Sequence, residues 1–133
     1  MVDTLSKLND LMANGNFAKA EILLFELLKS QPENYNLHKN LGMALLAQKK
    51  YKGALECFEK CYFADKNDFD VVLNLSYLFL KLQDYEHSIN FSNEAIKLNP
   101  KISGAFQNLA TCQLELLEFD EAKKNRLRTI NGK

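Results

Sequence analysis

A chain of 133 residues has the length of one ordinary domain, and its 47% hydrophobic and 26% charged residues belong to a folded soluble protein, not a disordered or collagen-like one. Seventeen basic residues balance seventeen acidic ones, so there is no electrostatic reason to expect nucleic acid or an anionic membrane as the main partner. The start, MVDTLSKLNDLMANG, carries Asp3 and Asp10 and lacks the apolar run of a secretory signal, and no later stretch approaches the length of a bilayer span.

Taken in chain order, the apolar spacing predicts eight helices. The first runs near 2–14 and is ended by Gly15, which readily takes a left-handed conformation. The second covers about 17–30 and is stopped by Pro32. Four more follow near 35–48, 51–64, 69–82 and 85–98, the last of them closed off by Pro100. The final two are expected near 103–116 and 119–130. The eighth differs from the others. Phe119 and Ala122 open it as its predecessors open, but Arg126 and Thr129 replace apolar and small residues, and Lys123, Lys124, Arg126 and Arg128 form a basic cluster. Such a helix suits a polar cap with cations near its negative end. The alternative is a natural chain that continues past Lys133, with this helix meeting a further domain.

Shifting the sequence by 34 residues lays like onto like. Phe17, Tyr51, Tyr85 and Phe119 form one column; Ala20, Ala54, Ser88 and Ala122 form another. Asn40, Asn74 and Asn108 precede a column of Leu41, Leu75 and Leu109, which is followed by the small residues Gly42, Ser76 and Ala110. A period of this length with this residue order resembles the tetratricopeptide repeat. The second copy is the clearest, with Leu41-Gly42, Leu45, Ala54 and Phe58, although His38 stands where the family usually has Trp. In the first copy Lys7 stands where the others have Leu. The resemblance implies an all-α, right-handed α-solenoid of about eight helices. It implies one domain over 1–133, with repeats near 1–34, 35–68, 69–102 and 103–133. Neither helix of a pair can bury its apolar stripe alone, so stacking must complete the core. The aromatic column is therefore expected in the core.

The same resemblance places the first helix of each pair on a concave wall that binds an extended peptide. The positions singled out there are Asn9, Lys39, Asn40, Met43, Asn74, Tyr77, Lys81 and Asn108, with Val2 at the wall's beginning. A side-chain amide both donates and accepts, so an asparagine ladder can pair with peptide backbone without reading side chains. It resembles the ladder of O-linked N-acetylglucosamine transferases and armadillo-type importins. The bland alternative is an amide bonded to the neighbouring helix. Each net hydrogen bond contributes only about 0.5–1.5 kcal/mol, so affinity also needs apolar contacts, for which Met43, Leu46, Tyr77 and Leu80 are the candidates. Lys39 and Lys81 favour an acidic ligand. The set of Lys, Asn and Arg with which some repeats clamp acidic chaperone tails is not reproduced: that frame reads Lys39, Met43, Asn74, Gly104 and Asn108 here.

No phosphate loop, nucleophile elbow or His–carboxylate motif is present, so no catalytic residue, cofactor or metal is expected. Cys57 and Cys61 share a helix face but read as packing residues, and three cysteines without framework spacing point to reduced thiols and a cytoplasmic location. The expected function is capture of a partner protein's extended segment by an adaptor. Two alternatives remain: the substrate-recruiting front of a larger enzyme such as a glycosyltransferase, and a self-associating scaffold.

Overall fold

The computed structural model describes residues 3–130, so Val2, the expected start of the first helix and the outermost ends of the first and last repeats lie outside the described residues. It is all-helical, with α1 (Thr4–Ala13), α2 (Phe17–Ser30), α3 (Tyr35–Ala47), α4 (Tyr51–Ala64), α5 (Phe69–Lys81), α6 (Tyr85–Leu98) and α7 (Ser103–Ile130). Each helix packs on its chain neighbours, and α7 also reaches back to α5. The result is a layered solenoid in which α1, α3, α5 and the start of α7 are the first helices of successive units.

The three complete pairs share one turn. Gly15, Lys49 and Gln83, one period apart, have φ of 76°, 61° and 63°. Around each the backbone closes in the same way. Asn16 N–H donates to the Leu11 carbonyl, Lys50 to Leu45 and Asp84 to Phe79, at 2.8–2.9 Å. These are the bonds of a Schellman ending, which satisfies carbonyls that a helix terminus would otherwise leave open. Gly15 fills the place without strain, as the sequence predicts; Lys49 and Gln83 adopt it despite their side chains.

The core is richest where α3 meets α4. Phe58 is fully buried, and Gly42 lies beneath it so closely that a Cβ there would stand 2.9 Å from the Phe58 ring. Leu8, Leu24, Leu41, Leu75 and Leu78 continue this core through the stack, and Val72, Ala95 and Ala105 seal α5 and α6 against α7. Three members of the small column, Ala20, Ala54 and Ser88, are buried, whereas the fourth, Ala122, is exposed. Ser88 Oγ donates to the Ser76 carbonyl at 2.6 Å and accepts from the Cys112 thiol at 3.1 Å.

One expectation fails. The seventh and eighth helices are a single 28-residue helix, unbroken through 116–119. The fourth place in the column of turn residues is Leu117, and a left-handed conformation is costly for a branched side chain. Glu115, Leu116, Leu117 and Glu118 are also good helix formers. Phe119 is consequently not a core residue: it is 67% exposed, whereas Phe17, Tyr51 and Tyr85 are half-buried.

Candidate peptide-binding groove

The first helices carry all eight singled-out residues on one series of elements. Asn9 is on α1, Lys39, Asn40 and Met43 on α3, Asn74, Tyr77 and Lys81 on α5, and Asn108 on the first half of α7. Separations of three and four residues put 39, 40 and 43 on one side of α3, and 74, 77 and 81 on one side of α5.

Where α1 meets α3, Leu5, Leu8, Asn9, Asn34, Asn36, Leu37 and Asn40 line a common cleft. One rung of the ladder, Asn40, thus lines the same cleft as Asn9, which lies outside the asparagine column, and as the apolar Leu5, Leu8 and Leu37. The helix start that shapes this cleft is fixed by Asn34, whose side chain accepts from the Leu37 N–H. Met43 is 42% exposed farther along α3. On α5, the Lys81 ammonium lies over the Tyr77 ring, 5.4 Å from its centroid, joining two of the predicted residues in a cation–π pair.

Two residues are engaged within the protein. Asn108 donates to Ser76 Oγ at 2.8 Å, pinning α7 to α5. That bond uses one of the amide's two N–H groups. Lys39 is paired with Asp68 at 2.9 Å and with Asp70 at 3.7 Å. Tyr35 completes this cluster by donating to the same Asp68 carboxylate at 2.7 Å. Burial works to raise the Asp68 pKa, but the hydrogen bonds from Lys39 and Tyr35 outweigh it and hold the carboxyl below its ordinary value. Burial likewise opposes the charge on Lys39, and the Asp68 partner more than offsets it, so the net shift is upward. The Tyr35 phenol is raised by burial first and by its bond to Asp68 second.

Tyr35 and Asp68 escaped the sequence reading. Their separation of 33 residues, close to one repeat, was the available signal: an acid starting one first helix faces the aromatic starting the previous one.

Cys57 and Cys61 are buried, and burial pushes both thiols up to about 11. Among the described residues no His, Cys, Asp and Glu side chains gather in threes suited to a metal, and no helix is long and apolar enough to cross a membrane.

Two family models, each described as tetratricopeptide repeat, match residues 5–69 and 69–102. The chain belongs to the tetratricopeptide repeat family. Mouse BBSome complex member BBS4 is 28% identical over 99 residues, which is 74% of this chain and 19% of that protein. Heat shock protein STI1 of Saccharomyces cerevisiae is 30% identical over 94 residues, 70% of this chain and 16% of that one. The chain thus spans less than a fifth of these tetratricopeptide relatives. Among solved structures, a MamA structure (MSR-1 C2) superposes with a TM-score of 0.80 at 20% identity, covering 90% of this chain and 68% of that one. The first tetratricopeptide domain of Spaghetti (RPAP3), bound to the HSP90 peptide SRMEEVD, gives 0.77 at 18% identity, with 84% and 88% covered. The fold they share is the right-handed α-solenoid of this family.

Proposed function

We propose that this tetratricopeptide chain is a protein-interaction module that holds an extended segment of a partner protein along the wall of its first helices. The four units act as one domain in a reducing, cytoplasm-like compartment, consistent with three buried free cysteines. The observation that carries the reading is the α1–α3 cleft, where Asn9 and Asn40 flank an apolar floor of Leu5, Leu8 and Leu37. Amides there suit a peptide backbone, and the floor suits alternate side chains of an extended strand. The Spaghetti domain holding a peptide on the same fold supports the reading.

The charge pattern narrows the ligand. Lys39 is already neutralised by Asp68 and Asp70, which leaves Lys81 beside Tyr77 as the cation of the wall. A segment with one acidic residue next to apolar ones fits better than a run of acids. The test is binding of a displayed library of extended peptides to the wild-type chain and to an Asn9→Ala, Asn40→Ala, Asn74→Ala variant of equal helicity. Asn108 is left intact because it braces α7. Selected peptides should lose at least about tenfold in affinity, the sum of three modest hydrogen-bond contributions. Equal affinity for both proteins would remove these three asparagines from the binding site.

A further inference from the structure

α7 outruns the stack that it closes. Its packed side is marked by Ala105 and Cys112, both fully buried. In steps of three and four residues that side continues through Leu116, Phe119, Lys123 and Leu127. Among the described residues nothing covers it there: residues 113–128 are all exposed, Leu116 at 38%, Phe119 at 67% and Leu127 at 50%. The overhang is also divided in charge. Glu115, Glu118, Asp120 and Glu121 precede Lys123, Lys124, Arg126 and Arg128. The ion pairs among the described residues all lie elsewhere, so neither block is neutralised within the helix or across the stack.

We infer that the overhang is a self-pairing surface, on which α7 of a second copy lies antiparallel with its basic block against the acidic block of the first. The order of charges selects this occupant. The two blocks cancel, so an anionic membrane gains nothing from the segment. Parallel pairing would set acid against acid and base against base. Antiparallel pairing about a two-fold axis between Glu121 and Ala122 sets each block against its complement. In that register Leu116 of one copy meets Leu127 of the other, and Asp120 meets Lys123, each pair occurring twice by symmetry. The aliphatic stem of that lysine also covers Phe119. The pairing requires the continuous helix, since a turn near Leu117 would take Leu116 and Leu127 off one line. It does not use the α1–α3 cleft, so it stands or falls separately from peptide capture. Three apolar residues per copy make a small interface, and the dimer is accordingly weak, with a dissociation constant on the order of 0.1 mM.

Sedimentation equilibrium of the full chain tests this. The average mass should climb toward twice the monomer value as the concentration passes through the dissociation constant, and raised salt should weaken the dimer several-fold. Two charge variants follow. One carries Lys123→Glu, Lys124→Glu, Arg126→Glu and Arg128→Glu; the other carries Glu115→Lys, Glu118→Lys, Asp120→Lys and Glu121→Lys. Each alone should self-associate at least about tenfold more weakly than wild type, and mixing them should restore the dimer. Orientation is read by disulfide formation between copies carrying Leu116→Cys or Leu127→Cys, since the native thiols are buried. The mixture should couple several-fold faster than either alone, because antiparallel pairing leaves like positions about 16 Å apart along the axis. Wild type that stays monomeric would leave the overhang to a helix of another protein and overturn the inference. So would an all-acidic variant that associates as wild type does, or Leu116→Cys coupling to itself as fast as to Leu127→Cys. Circular dichroism confirms that every variant keeps the wild-type helicity, as these positions are exposed.

Discussion

Asp68 accepts from Tyr35 and Lys39 and also receives the Asp70 N–H at the start of α5, so one carboxylate joins two neighbouring units. Its pKa is held below the ordinary 3.8, so near that pH the folded chain binds fewer protons at Asp68 than the unfolded chain does. Stability from this group is therefore complete above the ordinary carboxylate range and is lost as pH falls through the lowered folded value. Asp68→Asn should cost about 1–2 kcal/mol at neutral pH. The gap between wild type and variant in urea unfolding should narrow as the pH falls from about 5 to below 3. A gap independent of pH would mean that the carboxylate's charge contributes nothing there. Residue identity alone did not disclose this cluster, because Lys39 reads equally well as a ligand-binding cation; only the geometry shows the two acids beside it.

Helix pairing was largely legible. Each period carries two apolar stripes, and the column of small residues marks where helices approach. Gly42 is the tightest such point. Gly42→Ala would place a methyl 2.9 Å from the buried Phe58 ring, which has little room to yield. A loss of about 1–3 kcal/mol in thermal or urea unfolding is expected, the usual cost of overpacking. An unchanged midpoint would show that α4 can shift outward. The turn of the fourth unit was not legible from its repeat columns, since Phe119 and Ala122 match their columns and argue for a new helix. What decides the matter is Leu117, in a column whose other members, Gly15, Lys49 and Gln83, all have positive φ. That column's meaning is visible only from backbone conformation, because Lys and Gln are not residues that announce a left-handed turn.

Across the whole molecule, every unit rests on its neighbours. Gln48 and Lys50 both reach Glu21, Tyr62 donates to Glu94, and Asn108 reaches Ser76, each tie spanning about one repeat. The far half of α7 has no share in the buried core, as residues 113–128 are all exposed. A chain ended after Glu118 should therefore melt within a few degrees of the full one, a shift equivalent to less than about 1 kcal/mol. A large drop would mean that the overhanging half stabilises the stack. The wall of first helices was readable as a whole, because the asparagine column recurs at the repeat spacing. Its internal bonds were not: Asn108 donates to Ser76, and Lys81 gains its place beside Tyr77 only through the spacing along α5.

Neighbour-only ties also give the molecule a mechanical character. Tension applied between its ends is transmitted in series, junction after junction, with no tie bridging first unit to last among the described residues. The junctions differ in strength. The one at α7 is held by Ala105, Cys112 and Asn108 against α5 and α6, whereas α3 and α4 are locked by Phe58 over Gly42. Pulled in an optical trap, the chain would lengthen in steps rather than at once. The terminal helices α1 and α7 would peel away at low force, and the α3–α4 pair would yield last.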